Sequence, residues 1–369
     1  MRKIFIALLL VCLFPLSATA EEEIYNAADG LSPRGQAQIQ SVMPDFDFRS
    51  AVQSLSENSD AGFLHRLWNG LVSFFFQEAG TSLSVPLTAA AVAVLCSLLG
   101  RLGGDGSTSE MAFLITYAAS IGLAIAAVGD AAELARGFSQ DMAAFTNSVM
   151  PSLAVLSVGT GGGAAAVHPL LLAASSASSL LLSRIGIPSL YVSLSLSVIS
   201  GLSSHTVLRK LSALIRKCAF FVVTGSLTVF GAVISVTGYA AGTLGGVAAK
   251  GIKFAVGSLV PVLGGILSES AEAVSFSALT VKNAAGGAGM LLILLLTLYP
   301  VIKTILHSFA YRLAAALSST AADTRISSAF SDMADMLSAL SGMTAAAGML
   351  SMLSVGMLLR IGDMGVMLR

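Results

Sequence analysis

Apolar runs long enough to cross a bilayer recur along this chain, and they limit what it can fold into. In lipid, every backbone amide and carbonyl must be satisfied within the protein, so a spanning segment is a helix or part of a closed barrel. A helix needs about 20 apolar residues to cross. The smoothest run, Gly286 to Ile302, has no charge at all. Only 11% of the 369 residues are charged and 55% are hydrophobic, against about 25% charged in an average soluble domain. The chain is therefore expected to be all-α, a polytopic integral membrane helix bundle with about six to eight crossings. Its formal net charge is zero. No basic stripe carries interleaved aromatics, so nucleic acid is not an expected partner.

Three regions are expected. Residues 1–20 have the parts of a cleaved signal peptide: Arg2 and Lys3, an apolar core, and an Ala18-Thr19-Ala20 cleavage site. Residues 21–80 form an extracytoplasmic and interfacial helical region. Within it, Phe63 to Gly80 gathers aromatic side chains and Trp68, the single tryptophan, on one side of an amphipathic helix. Residues 81–369 form the transmembrane domain. Ser82–Gly100 and Met111–Val128 read as the first two spans, and the acidic stretch Asp130–Ser148 as lying outside the cytoplasm.

The strongest basic cluster is HTVLRKLSALIRK, His205 to Lys217. The positive-inside rule puts it in the cytoplasm. Leu208, Leu211, Leu214 and Ile215 make an apolar face. Arg209, Lys210, Arg216 and Lys217 make a basic one, suited to anionic headgroups or to docking a cytoplasmic partner. Reaching that side from Asp130 takes an odd number of crossings over 150–204. That stretch is interrupted by Pro151, by Gly159 to Gly163 and by His168-Pro169, with Arg184 read as the anchor of a short turn. A partly re-entrant path is expected there. Its glycines are not a phosphate loop, because no Lys-Ser/Thr follows them.

Phe220–Tyr239 reads as a further span and Gly242–Lys253 as a glycine-rich turn. The segment that follows is broken by Pro261 and Gly264-Gly265 and then meets Glu269 and Glu272. Broken apolar segments beside charge are where membrane proteins place pathways. Pro261, Gly264, Gly265, Glu269 and Glu272, with Pro151 and His168, are accordingly the candidate conduit or subunit-interface residues. Asp332 and Asp335 open a final segment whose span is Met336–Leu359. The three cysteines and four histidines form no ligand cluster, and no nucleophile motif is readable. No catalytic, metal or cofactor-binding residue is expected, and no enzyme. A secondary transporter using Glu269 and Glu272 as ion-coupling groups, or a scaffold without a pore, are the alternatives.

The leader with its short extracytoplasmic region, SVMPSLAVL around Pro151, His168-Pro169, and above all KGIKFAVGSLVPVLGGILSES followed by LTVKNAAGGAG resemble the stage III sporulation protein AE family of endospore-forming bacteria. That resemblance implies a multi-pass protein of the mother-cell membrane around the forespore. It implies membership in a channel-like secretion complex linking the two cells, and partners among the other stage III products of the operon. Those include the ATPase; a forespore membrane partner outside that set is implied indirectly. A homo-oligomer is expected. The family offers no catalytic residues to carry over.

Overall fold

A computed structural model describes the backbone of residues 22–44, 46–56, 61–102, 106–159, 164–203, 206–259, 264–321 and 324–367. Side chains are described over the same ranges except near several helix ends, at a few single positions and over 241–281. The expected signal peptide and Pro261 lie outside the described residues. All regular structure among the described residues is helical.

Three short helices come first: α1 (residues 22–29), α2 (Pro33–Val42) and α3 (Phe48–Ser56). Ser32 caps α2 by accepting the Gly35 N–H at 3.0 Å, with Pro33 at the first helical position. Asp47 caps α3: its carboxylate accepts the Ser50 hydroxyl at 2.7 Å and the Ser50 N–H at 3.1 Å. The Ser50 hydroxyl and N–H hold the Asp47 carboxyl below its ordinary pKa. A depressed carboxylate stabilises the fold above its unfolded pKa and loses that contribution as pH falls through its folded value. Asp47→Ala is expected to cost about 1 kcal/mol in the docking of α3 at pH 7, and less at acid pH. Amide exchange of α3 reads this out, and a pH-independent loss would contradict it.

The remaining helices are long. They are α4 (Ala61–Leu102), α5 (Gly106–Gly159), α6 (Ala164–Leu180), α7 (Ile187–Ser203), α8 (Thr206–Leu259), α9 (Gly264–Ala321) and α10 (Thr324–Met367). A π-helical turn, Leu181–Gly186, joins α6 to α7, so residues 164–203 form one rod. Six stretches are long and apolar enough to cross a membrane: Trp68–Leu95, Phe113–Ala154, His168–Leu202, Val207–Gly238, Lys282–Thr320 and Thr324–Arg360.

Several expected boundaries are absent. The interfacial helix and first span are one helix, α4, with Pro86 inside it. The second span continues through Asp130 to Gly159. Arg184 sits in the π-helical turn of the rod rather than in a loop. Gly242–Lys253 is helical, part of α8, rather than a turn. Asp332 and Asp335 lie within α10. At the glycines the cause is that each costs a helix only about 1 kcal/mol relative to alanine, which is less than an unsatisfied backbone group costs in an apolar environment.

Side-chain contacts fix the registers. Between α4 and α9 the Phe74 and Tyr299 rings meet at 5.3 Å, Glu78 pairs with Lys303 at 3.4 Å, and Ser82 meets His307 at 3.1 Å. The offset is the same in all three, so α4 and α9 run parallel. The Ser308 hydroxyl donates to the Ala334 carbonyl and Ser327 to Ala315, so α9 and α10 are antiparallel. Tyr117 donates to the Val198 carbonyl and Ser139 meets Ser179, so α5 opposes the α6–α7 rod. Ser193 and Ser212 donate to each other's carbonyls across α7 and α8. The six rods therefore alternate up and down. Helix α10 packs against both α8 and α9. Gly348 admits Thr297, Gly286 admits Leu359 and Gly238 admits Met357; a Cβ at any of these glycines would collide with that side chain. Small residues let backbones approach closely in apolar bundles.

Candidate functional site

The alternation gathers one set of helix ends. The starts of α5, α8 and α10 lie beside the ends of α4, α7 and α9. The Arg325 guanidinium sits over the Phe113 ring at 3.7 Å, which places α10 beside α5 at this end. Helix α10 presents two acids to the basic stretch of α8. Asp332 accepts the Arg209 Nε–H at 3.1 Å and the Ser197 hydroxyl at 2.7 Å. Arg216 donates to the Asp332 carbonyl at 3.2 Å and to the Asp335 carboxylate at 3.0 Å. Arg312 of α9 reaches the other oxygen of Asp335 at 3.2 Å. Four rods, α7 to α10, are tied by this one network.

The network inverts the expected amphipathic pattern of α8. Arg216 and Ser212 are buried, whereas Leu211 and Leu214 face outward. The acids that draw the arginine inward lie more than a hundred residues away in sequence, beyond any local periodicity. Of the four expected docking residues, Lys210 and Lys217 are exposed, Arg209 is partly exposed, and Arg216 is engaged inside the bundle.

The other expected residues lie toward the opposite end, where the antiparallel register of α5 and α6 brings Pro151 and His168 to about one height. Pro151 is exposed within α5. Beside it, the Ser152 hydroxyl donates to Glu23 at 2.9 Å. His168 is half-buried in α6, and its Nε2 is buried without a hydrogen-bond partner. Gly264, Gly265, Glu269 and Glu272 lie in the first turns of α9, and their side chains are outside the described residues.

A second polar feature lies on α5. Ser32 donates to Asp141 at 2.8 Å, and Arg34 pairs with Glu133 at 2.7 Å. An open groove of about 510 Å³ follows, lined by Arg34, Asp130, Glu133, Arg136, Gln140 and Tyr191 among others. The registers also bring Glu78, Asp130, Arg184, Lys217 and Lys303 to nearly one height, a charged belt around the middle of the bundle. Toward the arginine end of that belt, residues 79–100, 111–129 and 185–203 contain no Asp, Glu, Lys or Arg. Each is about the length that crosses a bilayer.

Six long apolar helices, whose few charges pair between rods or gather in a belt, define a multi-pass membrane protein. A family model described as Stage III sporulation protein AE matches residues 46–362, and the chain belongs to that family. It is similar to the curated Stage III sporulation protein AE of Bacillus subtilis (strain 168), at 28% identity over 266 residues, 70% of this chain and 67% of the relative. No solved structure matches. The protein is thus a membrane protein of sporulation.

Proposed function

We propose that this protein is a non-enzymatic, homo-oligomeric component of the channel-like secretion complex between mother cell and forespore, and that it forms or lines the conduit. In this reading it sits in the mother-cell membrane around the forespore and works with the other stage III products, the ATPase among them. The arginine end of the bundle faces the cytoplasm in this reading. Arg209, Lys210, Lys217, Arg312 and Arg325 then lie toward the cytoplasm, as the positive-inside rule requires. The exposed polar side chains of α2 and α3, such as Arg34, Gln36, Asp47 and Arg49, lie in water on the far side.

The observation that carries the oligomeric reading is a surplus of apolar surface. On α8, large apolar side chains face outward from Val207 to Val236. That stretch is about 45 Å of helix, and the hydrocarbon core is about 30 Å thick. The excess belongs against protein. Exposed Lys210 and Lys217 at the cytoplasmic end would offer a docking place for the ATPase.

Imaging of particles in lipid nanodiscs tests the reading. A closed ring with a central opening is the expected result. Monomers, or a ring closed at its centre, would remove the conduit from this protein and leave a scaffold.

A further inference from the structure

The open groove on the charged belt has a chemistry that the proposed function leaves unused. It lies between α2, α5 and α7 and holds about 510 Å³. Its walls carry two guanidiniums, Arg34 and Arg136, and two carboxylates, Asp130 and Glu133. The lining is therefore balanced in charge. Glu133 fixes Arg34 at 2.7 Å, a bond that uses one of the five N–H donors of that guanidinium. Asp130 and Arg136 are exposed on α5.

The floor of the groove is bare backbone. Gly129 and Gly137 line it, and a Cβ at either would meet nothing within 4 Å. Gly286 and Gly348 differ, because each admits a side chain from a neighbouring helix. Glycine weakens a helix, and one use for it is to let a ligand lie against the backbone.

One side of the groove is apolar. Tyr191 lines both the groove and a narrow crease that Val128, Ala132, Ile187 and Leu190 form with α10. From there toward the arginine end, residues 111–129 and 185–203 carry no charge. Leu123, Ile125, Val192 and Ile199 are exposed on that stretch. Arg34, on the other side, belongs with the exposed polar side chains of α2. Charge gives way to apolar surface at the groove, and tyrosine is favoured at such a membrane–water boundary.

We propose that this groove binds the phosphoethanolamine headgroup of a membrane lipid, whose acyl chains lie along the uncharged parts of α5 and α7. Arg136 and the free edge of Arg34 donate to the phosphate, for which the guanidinium fork is suited. Asp130 accepts from the ammonium, which ethanolamine carries two carbons from the phosphate oxygen. Phosphatidylglycerol has no cation for Asp130, and the quaternary ammonium of phosphatidylcholine has no N–H to donate. The proposal goes beyond the function proposed above and stands or falls apart from the conduit.

Native mass spectrometry of the full-length protein, with each lipid added singly in detergent, tests it. Phosphatidylethanolamine is expected to be retained about tenfold more tightly than phosphatidylcholine, the effect of one charge-assisted hydrogen bond. Asp130→Ala should erase that preference, and Arg136→Gln should weaken retention of both lipids. Both side chains are exposed, so the fold does not depend on them. Gly137→Leu fills the floor. It should abolish retention while the lipid-free protein unfolds at the parent temperature, because the space over Gly137 is open. Equal retention by the parent and Gly137→Leu would place the lipid elsewhere and overturn the proposal. Tighter retention of phosphatidylglycerol would overturn it too. Soluble phosphoethanolamine that displaces the lipid at equal concentration would assign the groove to a free ligand and overturn the lipid.

Discussion

Asp332→Ala is expected to cost about 1–3 kcal/mol of bundle stability, the typical effect of leaving a buried polar group without its acceptor. Asp332 is buried; it takes Arg209 and Ser197 at once, and Arg216 bonds to its carbonyl. Without the carboxylate, Arg209 and the buried Ser197 hydroxyl lose their shared acceptor. Arg312→Ala should cost about 1 kcal/mol or less, because its side chain is 57% exposed and its bond to Asp335 is one that water can replace. Thermal or SDS unfolding in mild detergent separates the two. Equal small losses would mean that water reaches the whole network. Ser197→Ala added to Asp332→Ala should recover part of the loss, since replacing both hydrogen-bond partners by apolar groups can be nearly neutral.

The second large effect is expected at Gly348, where α10 presses against Thr297. Gly348→Leu forces the last two helices apart, and overpacking of this kind costs about 1–3 kcal/mol. Gly122 on α5 has nothing within 4 Å of where its Cβ would be. Gly122→Leu should change stability by no more than about 0.5 kcal/mol. If both variants melt alike, close approach is not what the small residues of α10 provide.

Much of the fold could be read from the residues. The apolar runs foretold an all-α membrane bundle, and the low count of crossings expected is the number of apolar stretches found. The cluster Arg209 to Lys217 marked one end of the bundle as rich in charge. Helix continuity was not legible. Gly80, Asp130 and Gly242 look like boundaries, because in water glycine and charge end helices at little cost. Within a packed apolar bundle the unpaired carbonyls would cost more than the glycine does. The burial of Arg216 was hidden for another reason. A helical wheel assigns a charge to the outside, and only the folded bundle reveals the acid that receives it. The expected pathway residues fared differently: Pro151 and His168 fall far from the arginine network, and the side chains of Glu269 and Glu272 are not among those described.

Order of synthesis gives the arginine network a further meaning. Helix α8 leaves the ribosome with Arg209 and Arg216 well before α10 brings Asp332 and Asp335. Until the final helix arrives, those arginines have no counter-charge, and the groove for α10 between α8 and α9 stands open. Arrival of α10 and neutralisation of these arginines are thus one event. In a nascent protein that stalls before α10, Arg216 would lack both of the acceptors that hold it inside the bundle.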